Sequence, residues 1–159
     1  MGVKFGIAFG AHTTVISRGS SKKESALKDL GAHSYLDSTD SAALTAANNS
    51  FDFILSTISA PFNISPYLNL LKTDGKLVMV GAPPEPLSIP AFQLIGSRRV
   101  LTASLIGGIK ETQDMLDFCG RHNIVCDIEL TTPDKIDSAF VRTLNSDVKY
   151  RFVIDTSLI

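Results

Sequence analysis

The chain has 159 residues, 44% of them hydrophobic, which is typical of one globular domain with a packed core. Its formal net charge of -1 excludes a general attraction to nucleic acid, so we expect no nucleic-acid partner. No apolar run approaches the roughly 20 residues that span a bilayer, and no leader sequence opens the chain, so we expect a cytoplasmic protein without membrane contact.

Apolar periodicity and helix-ending glycines predict that helices and strands alternate along the chain. The predicted helices lie at residues 1–9, 22–30, 65–75, 109–123 and 134–144, with an alanine-rich helix after Asp40 and a short helical segment at 89–97. The predicted strands lie at residues 13–17, 34–36, 51–57, 76–83, 100–108, 125–130 and 150–156. This alternation predicts an α/β fold with a mostly parallel sheet that helices cover on both faces.

Local signals predict where several helices begin. Ser21 followed by Glu24 has the spacing of a capping box, which places a helix start at residue 22. Asp40 is the predicted N-cap of the alanine-rich helix. Ser65 is the predicted cap of the helix at 65–75, because Pro66 suits its first position.

Three predicted strands end in segments of small or polar residues. These are "SRGSSK" after the first strand, "STISAP" after the strand at 51–57, and "GAP" at the end of the strand at 76–83. In a parallel sheet, ligands collect at the carboxyl ends of the strands, and small residues let them approach the backbone. We therefore expect a nucleotide cofactor at this edge.

The segment after the first strand carries cations and hydroxyls but no acid before Glu24. NAD-binding proteins place a carboxylate near this point for the ribose 2′-hydroxyl, whereas NADP-binding proteins replace it with a cation. A 2′-phosphate here, near the amino end of a helix, would gain charge-assisted hydrogen bonds of about 1.5 to 3 kcal/mol each. The alternative is a solvated turn with an ordinary cap. The groups that would bind the phosphate are Ser17, Arg18, Ser20 and Lys22.

The metal-ligating residue types are scattered. Cys119, Cys126, His12, His33 and His122 match neither the paired spacing of a zinc site nor a disulfide framework. We expect both cysteines to be reduced packing residues.

Four segments carry a family resemblance: "HTTVISRGSSKKESALKDLGAHSYLDSTD", "SPYLNLLKTDGKLVMVGAP", "SLIGGIKETQDMLDFCGRHNI" and "SDVKYRFVID". They closely resemble the cofactor domain and carboxyl end of plant cinnamyl alcohol dehydrogenases, which belong to the zinc-dependent medium-chain dehydrogenase/reductase superfamily. The resemblance implies a Rossmann-like doubly wound parallel sheet, NADP(H) as cofactor, and zinc in the full-length enzyme. It also implies hydride transfer between cinnamyl-type aldehydes and primary alcohols, in a homodimer.

The resemblance also implies roles for individual residues. The loop at Ser17 becomes the 2′-phosphate site. The homodimer contact would lie between Pro86 and Ile95, where the family pairs an apolar strand across a two-fold axis. Residues 1–125 become the NADP(H)-binding domain, and residues 126–159 a segment that packs on the substrate domain. The residues implied near ribose and nicotinamide are Thr57, Val80, Gly81 and Ala82, and those implied near the carboxamide are Ser104, Leu105 and Ile106.

Several family features have no counterpart in the sequence. These are the substrate domain with its catalytic and structural zinc sites, the first Rossmann strand, and the glycine-rich turn after it. We therefore expect a fragment, a truncated gene product or part of a larger enzyme, inactive alone. The first strand would lie between the strands at 13–17 and 51–57, so they should have unpaired edges or be forced together. A marginally stable, aggregation-prone chain is expected.

Three alternatives remain at this stage. An adenosylmethionine-dependent methyltransferase has the same rhythm of strands and helices but would need an acid where Ser17 and Arg18 stand. A truncated subunit could serve as a non-catalytic dimerisation partner. Within the enzyme family, an iminium or enal reductase of alkaloid biosynthesis is also consistent with the sequence, which does not choose among substrates.

Overall fold

The computed structural model describes residues 1–145 and 147–158. These residues fall into two compact units, the first comprising Gly2–Asp114 and the second Met1 with the chain from Met115 onwards.

The first unit contains five strands in two parallel sheets, which confirms the predicted α/β fold with parallel strands. β1 pairs with β2, and β4 lies between β3 and β5. The strands are β1 (Thr14–Ser17), β2 (Ser34–Asp37), β3 (Phe51–Ser56), β4 (Leu71–Met79) and β5 (Val100–Ala103).

One short helix precedes β1, and four others connect the strands. They are α1 (Gly2–Ala8), a π-helix (Ser25–Asp29), α2 (Ser41–Ala46), α3 (Ser65–Leu70) and α4 (Ala91–Ile95). A longer helix, α5 (Ile109–Arg121), follows β5.

The sheet of the first unit is interrupted between β1 and β3. Within the described part of the chain, β1 pairs with β2 alone and β3 with β4 alone, so each has one edge without a strand partner. Ile16 and Leu36, from the two-stranded sheet, pack against the same core as Ile54 of β3. The first of the two expected outcomes, a pair of unpaired edges, is therefore observed.

The core of the first unit lies where α3 packs against β4. Five side chains there are less than 2% exposed: Ile64, Leu68, Leu70, Leu71 and Leu77. Burying one such side chain stabilises the fold by about 1.5 to 3 kcal/mol. This core supports the β3–β4–β5 sheet, whose carboxyl ends belong to the candidate site.

The helix predicted at 22–30 is shorter and wound differently. A turn occupies residues 21–22, residues 23–24 are α-helical, and the residues from Ser25 to Asp29 form a π-helix. The predicted capping box does not form, and the Glu24 carboxylate accepts a hydrogen bond from Lys28 Nζ at 2.7 Å instead. The helical segment after the loop therefore covers residues 23–29, within the predicted range.

The prediction for α2 is confirmed, whereas that for α3 is partly wrong. The Asp40 side chain accepts hydrogen bonds from the N–H groups of Ala42 and Ala43, as an N-cap does. Ser65 lies inside α3, and Asn63 Oδ1 accepts its N–H at 3.0 Å. The helix ends at Leu70 because Leu71 is extended and pairs with Phe51.

The segment at 86–95 contains no strand. Its last five residues form α4, which carries the exposed side chains of Phe92 and Ile95. The apolar strand that the family resemblance implies is therefore not observed here. The segment nevertheless exposes apolar side chains on α4.

The second unit contains the last residues of α5, a two-stranded parallel sheet and a helix of nine residues. The sheet pairs β6 (Glu129–Thr131) with β7 (Phe152–Ile154), and α6 (Ile136–Leu144) connects the strands after a 3₁₀ turn at Pro133–Lys135. A second 3₁₀ turn follows β7 at Thr156–Leu158.

Among the described residues, no helix combines the length and apolar character needed to cross a membrane.

Candidate functional site

The loop at residues 17–22 begins where β1 ends. Ser17 is half-buried, and the side chains of Arg18, Ser20 and Lys22 are exposed. Within residues 1–145 and 147–158, none of these four side chains makes a hydrogen bond or an ion pair with another residue. The two cations and two hydroxyls are therefore available to a ligand.

The middle of this loop is held by β2. Gly19 has a φ of 65°, a conformation that glycine adopts without strain. Its N–H donates to Asp37 Oδ1 at 2.8 Å, and its carbonyl oxygen accepts from the Tyr35 hydroxyl at 2.7 Å. The loop therefore has a defined conformation although its cations have no partner.

Asp37 also holds the loop that follows β2. Its Oδ1 atom accepts hydrogen bonds from the Thr39 N–H at 2.8 Å and from the Thr39 hydroxyl at 2.7 Å. These two bonds, together with the one from Gly19, keep the pKa of the Asp37 carboxyl below its ordinary value, while burial acts in the opposite direction. The carboxyl is thus ionised at neutral pH and accepts from both loops.

A cavity of about 230 Å³ opens beside these two loops. Arg18 lines one side, and residues after β2 and around α3 line the others. The rings of Phe62 and Tyr67 meet edge to face with their centroids 5.7 Å apart. The wall therefore combines aromatic faces with a guanidinium, which suits a planar, partly apolar group attached to an anion. The lining residues are Arg18, Ser38, Thr39, Leu44, Phe62, Asn63, Pro66 and Tyr67.

The carboxyl ends of β3 and β4 meet closely. Val80 and Gly81 both direct their N–H groups to the Ser56 carbonyl oxygen, at 2.9 and 3.2 Å. A Cβ atom at Gly81 would lie 2.3 Å from the Ile58 carbonyl oxygen, so the approach requires glycine. The structure thus brings Thr57, Gly81 and their neighbours together at one edge, as a ligand that contacts backbone groups would need.

The predicted residues after β5 lie at the end of the neighbouring strand. Ser104 N–H donates to the Met79 carbonyl oxygen at 3.0 Å, which joins this segment to the end of β4. The Leu105 and Ile106 side chains are each 90% exposed. The sequence-predicted site residues therefore form two groups, one at the β1–β2 sheet and one at the β3–β4–β5 sheet.

Four residues that take part in this arrangement were missed by the sequence analysis: Tyr35, Asp37, Phe62 and Tyr67. Only Asp37 had a usable signal, because parallel pairing places the ends of the first and second strands side by side, and Ser17 is in register with Asp37. The two aromatic residues follow no motif, since their place at the cavity depends on how the loop after β3 returns towards Arg18.

No group of three or more histidine, cysteine or acidic side chains that could hold a metal ion occurs among the described residues. Cys119 is buried and Cys126 is half-buried, and both belong to the second unit.

Comparison with known proteins places these features in a family context. The zinc-binding dehydrogenase family model matches residues 1–121. The 8-hydroxygeraniol dehydrogenase of Catharanthus roseus is 51% identical over 155 residues, which are 98% of this chain and 43% of that protein. The chain thus spans less than half the length of this relative.

Solved structures also match nearly the whole chain. A cinnamyl alcohol dehydrogenase from Sorghum bicolor superposes with a TM-score of 0.94 at 43% identity, covering 99% of this chain and 44% of that one. The CAD protein of Helicobacter pylori, complexed with NADP(H), superposes with a TM-score of 0.83 at 36% identity, again over 99% of this chain and 44% of the other.

Proposed function

Because the chain belongs to the zinc-binding dehydrogenase family, we propose that it is the NADP(H)-binding portion of an alcohol dehydrogenase or reductase. The full enzyme would interconvert cinnamyl-type aldehydes and primary alcohols by hydride transfer. The observation that carries the proposal is the pair of unpartnered cations, Arg18 and Lys22, at the carboxyl end of β1. The proposed division is 1–125 for cofactor binding and 126–159 for the carboxyl-terminal segment.

The adenosine half of the cofactor would occupy the loop at 17–22 and the adjoining cavity. A 2′-phosphate would accept hydrogen bonds from Arg18, Lys22 and the hydroxyls of Ser17 and Ser20. The adenine ring would enter the cavity, where Phe62 contributes an apolar face. The complex of the Helicobacter pylori relative with NADP(H) supports this choice of cofactor.

The nicotinamide half would lie at the carboxyl ends of β3, β4 and β5. Thr57 and Gly81 are close together there, and Ser104 is hydrogen-bonded to the end of β4. Small residues at this edge leave backbone groups accessible, which favours binding of the ribose and carboxamide. The other residues proposed to contribute are Val80, Ala82, Leu105 and Ile106.

The family implies zinc, which polarises a carbonyl during hydride transfer. The described residues do not fit such an ion, because they contain no cluster of three metal-ligating side chains. We therefore assign no catalytic step to them, and the chain alone is proposed to bind cofactor without transferring hydride.

The test is a fluorescence titration of the purified chain with NADPH and NADH. NADPH should bind at least about tenfold more tightly, since one charge-assisted hydrogen bond contributes about 1.5 to 3 kcal/mol. Lys22→Ala should remove most of this preference. Lys110→Ala is the matched control, because Lys110 is exposed and pairs with Asp114 in α5. Equal affinity for the two dinucleotides, or no effect of Lys22→Ala, would refute the 2′-phosphate site.

A homodimer through residues 86–95 is part of the same proposal. Phe92 and Ile95 lie three positions apart on α4, so they share one face, and they are 81% and 65% exposed. Size-exclusion chromatography with light scattering should give a dimer for the wild type and a monomer for Phe92→Glu. Phe140→Glu, an exposed phenylalanine of α6, is the control that should remain dimeric. A monomeric wild type would exclude this contact.

A further inference from the structure

The cavity beside β1 and β2 has two rims that share one acceptor atom. The first rim is the loop at 17–22, which contributes Arg18, and the second contains Ser38 and Thr39. Asp37 Oδ1 accepts the Gly19 N–H from the first rim at 2.8 Å. The same atom accepts the Thr39 N–H and hydroxyl from the second rim at 2.8 and 2.7 Å.

The peptide groups on both sides of Gly19 are held by the same strand. Tyr35 and Asp37 are two positions apart on β2 and pair with Val15 and Ser17 of β1. Tyr35 donates to the Gly19 carbonyl oxygen at 2.7 Å, while Asp37 accepts the Gly19 N–H. The backbone of the residue next to Arg18 is therefore fixed at two points.

These contacts contrast with the free side chains around them. In the described part of the chain, the side chains of Arg18, Ser20 and Lys22 make no hydrogen bond or ion pair. Their positions therefore depend on the conformation of the loop backbone. A loop with mobile backbone would lose conformational entropy when it closes on a ligand, and this loss would weaken binding.

We propose that Asp37, assisted by Tyr35, is a positioning residue that holds the two rims of the cavity together and presents Arg18 to the ligand. The inference rests on the proposed function insofar as that ligand is NADP(H). Asp37 acts through the backbone of the loop and the Thr39 contacts, and it needs an acceptor oxygen at Oδ1 to do so.

Cofactor titrations with substituted chains test the effect on binding. Asp37→Ala removes the acceptor and should weaken NADPH binding at least about tenfold, while Asp37→Asn keeps an acceptor oxygen and should remain within about threefold of the wild type. Tyr35→Phe should give an intermediate loss. Asp52→Ala is the control, because Asp52 is an exposed acid paired with Lys72 on another sheet. Wild-type affinity in Asp37→Ala, or an Asp37→Asn chain as weak as Asp37→Ala, would overturn the proposal.

Amide hydrogen exchange measured by NMR tests, without any cofactor, whether Asp37 holds the two loops in place. The Gly19 and Thr39 amides should be protected in the wild type and in Asp37→Asn, and should exchange faster in Asp37→Ala, with the β3–β4 amides unchanged in all three. Unchanged Gly19 and Thr39 protection in Asp37→Ala would overturn the proposal. If the wild type binds neither dinucleotide, the proposed function fails, whereas the exchange result still decides whether Asp37 positions the loop.

Discussion

At the scale of single residues, two adjacent arginines have very different surroundings. Arg98 is exposed and forms an ion pair with Asp74 at 2.6 Å. Arg99 is half-buried and donates to the carbonyl oxygens of Leu71 and Gln93 and to Asn49 Oδ1, at 2.9, 3.2 and 2.7 Å. Arg99 therefore links the start of β4, α4 and the turn before β3.

This difference predicts unequal losses of stability. Arg99→Ala should lower the free energy of unfolding by about 2 to 4 kcal/mol, because it leaves several partly buried acceptors without a donor. Arg98→Ala should have a clearly smaller effect, because solvent screens an exposed ion pair. Urea unfolding of the two variants measures both losses, and an equal effect would contradict this account of Arg99.

Substitution in α3 gives a prediction at the scale of secondary-structure elements. Leu68 is 0% exposed and lies in the core against which β3 and β4 pack. Leu68→Ala should cost about 2 to 5 kcal/mol, since it loses buried apolar surface and leaves a cavity. Leu144→Ala in α6 is the control, because that side chain is 83% exposed. Denaturant midpoints that shift equally for both would contradict the assignment of the core.

In the second unit, an acid joins β6 to α6. Glu129 accepts the Lys149 N–H at 2.8 Å and pairs with Arg142 at 2.8 Å. The hydrogen bond from the Lys149 N–H has the larger effect and that from Arg142 the smaller, and both keep the pKa of Glu129 below its ordinary value. Burial acts in the opposite direction. Arg142 also contacts Asp147, and its guanidinium lies 4.8 Å from the centre of the Phe152 ring.

The sign of the resulting pH dependence follows from the lowered pKa. A carboxyl whose pKa is lower in the folded than in the unfolded chain stabilises the fold above its unfolded pKa, and this contribution is lost as the pH falls through the folded value. Glu129→Gln should therefore melt below the wild type at pH 7, and the difference should shrink below about pH 4.5. Thermal melts between pH 7 and pH 3 measure the difference in melting temperature between the two chains. A difference that does not depend on pH would exclude the Glu129 carboxylate as its source.

At the scale of the whole molecule, unpaired strand edges predict low stability. β1 and β3 each have an edge without a strand partner in the described residues, and Phe53 and Leu55 of β3 are 55% and 43% exposed. Open edges and exposed apolar side chains promote association between chains. The purified chain should melt at or below the roughly 45–65 °C of ordinary domains, with rising light scattering. A sharp, reversible melt well above that range would contradict the prediction.

Much of the fold could be predicted because the signals are local. Asp40 caps α2 as expected, and α5 begins at the predicted Ile109. The chemistry of the candidate site was local too, since Arg18, Ser20 and Lys22 follow one strand directly. The start and end of α3 were less predictable. Leu71 pairs with Phe51, 20 positions away, and this pairing ends the helix before Gly75, where the sequence predicted its end.

The sequence by itself determined the order of helices and strands, the parallel α/β class and the cationic character of the loop after β1, because each depends on neighbouring residues. The tertiary structure decided which groups surround that loop. Tyr35 and Asp37 reach Gly19 from 16 and 18 positions away, and Phe62 joins Arg18 at the cavity. These contacts exist only after the strands pair and the loops return, so no local pattern could specify them.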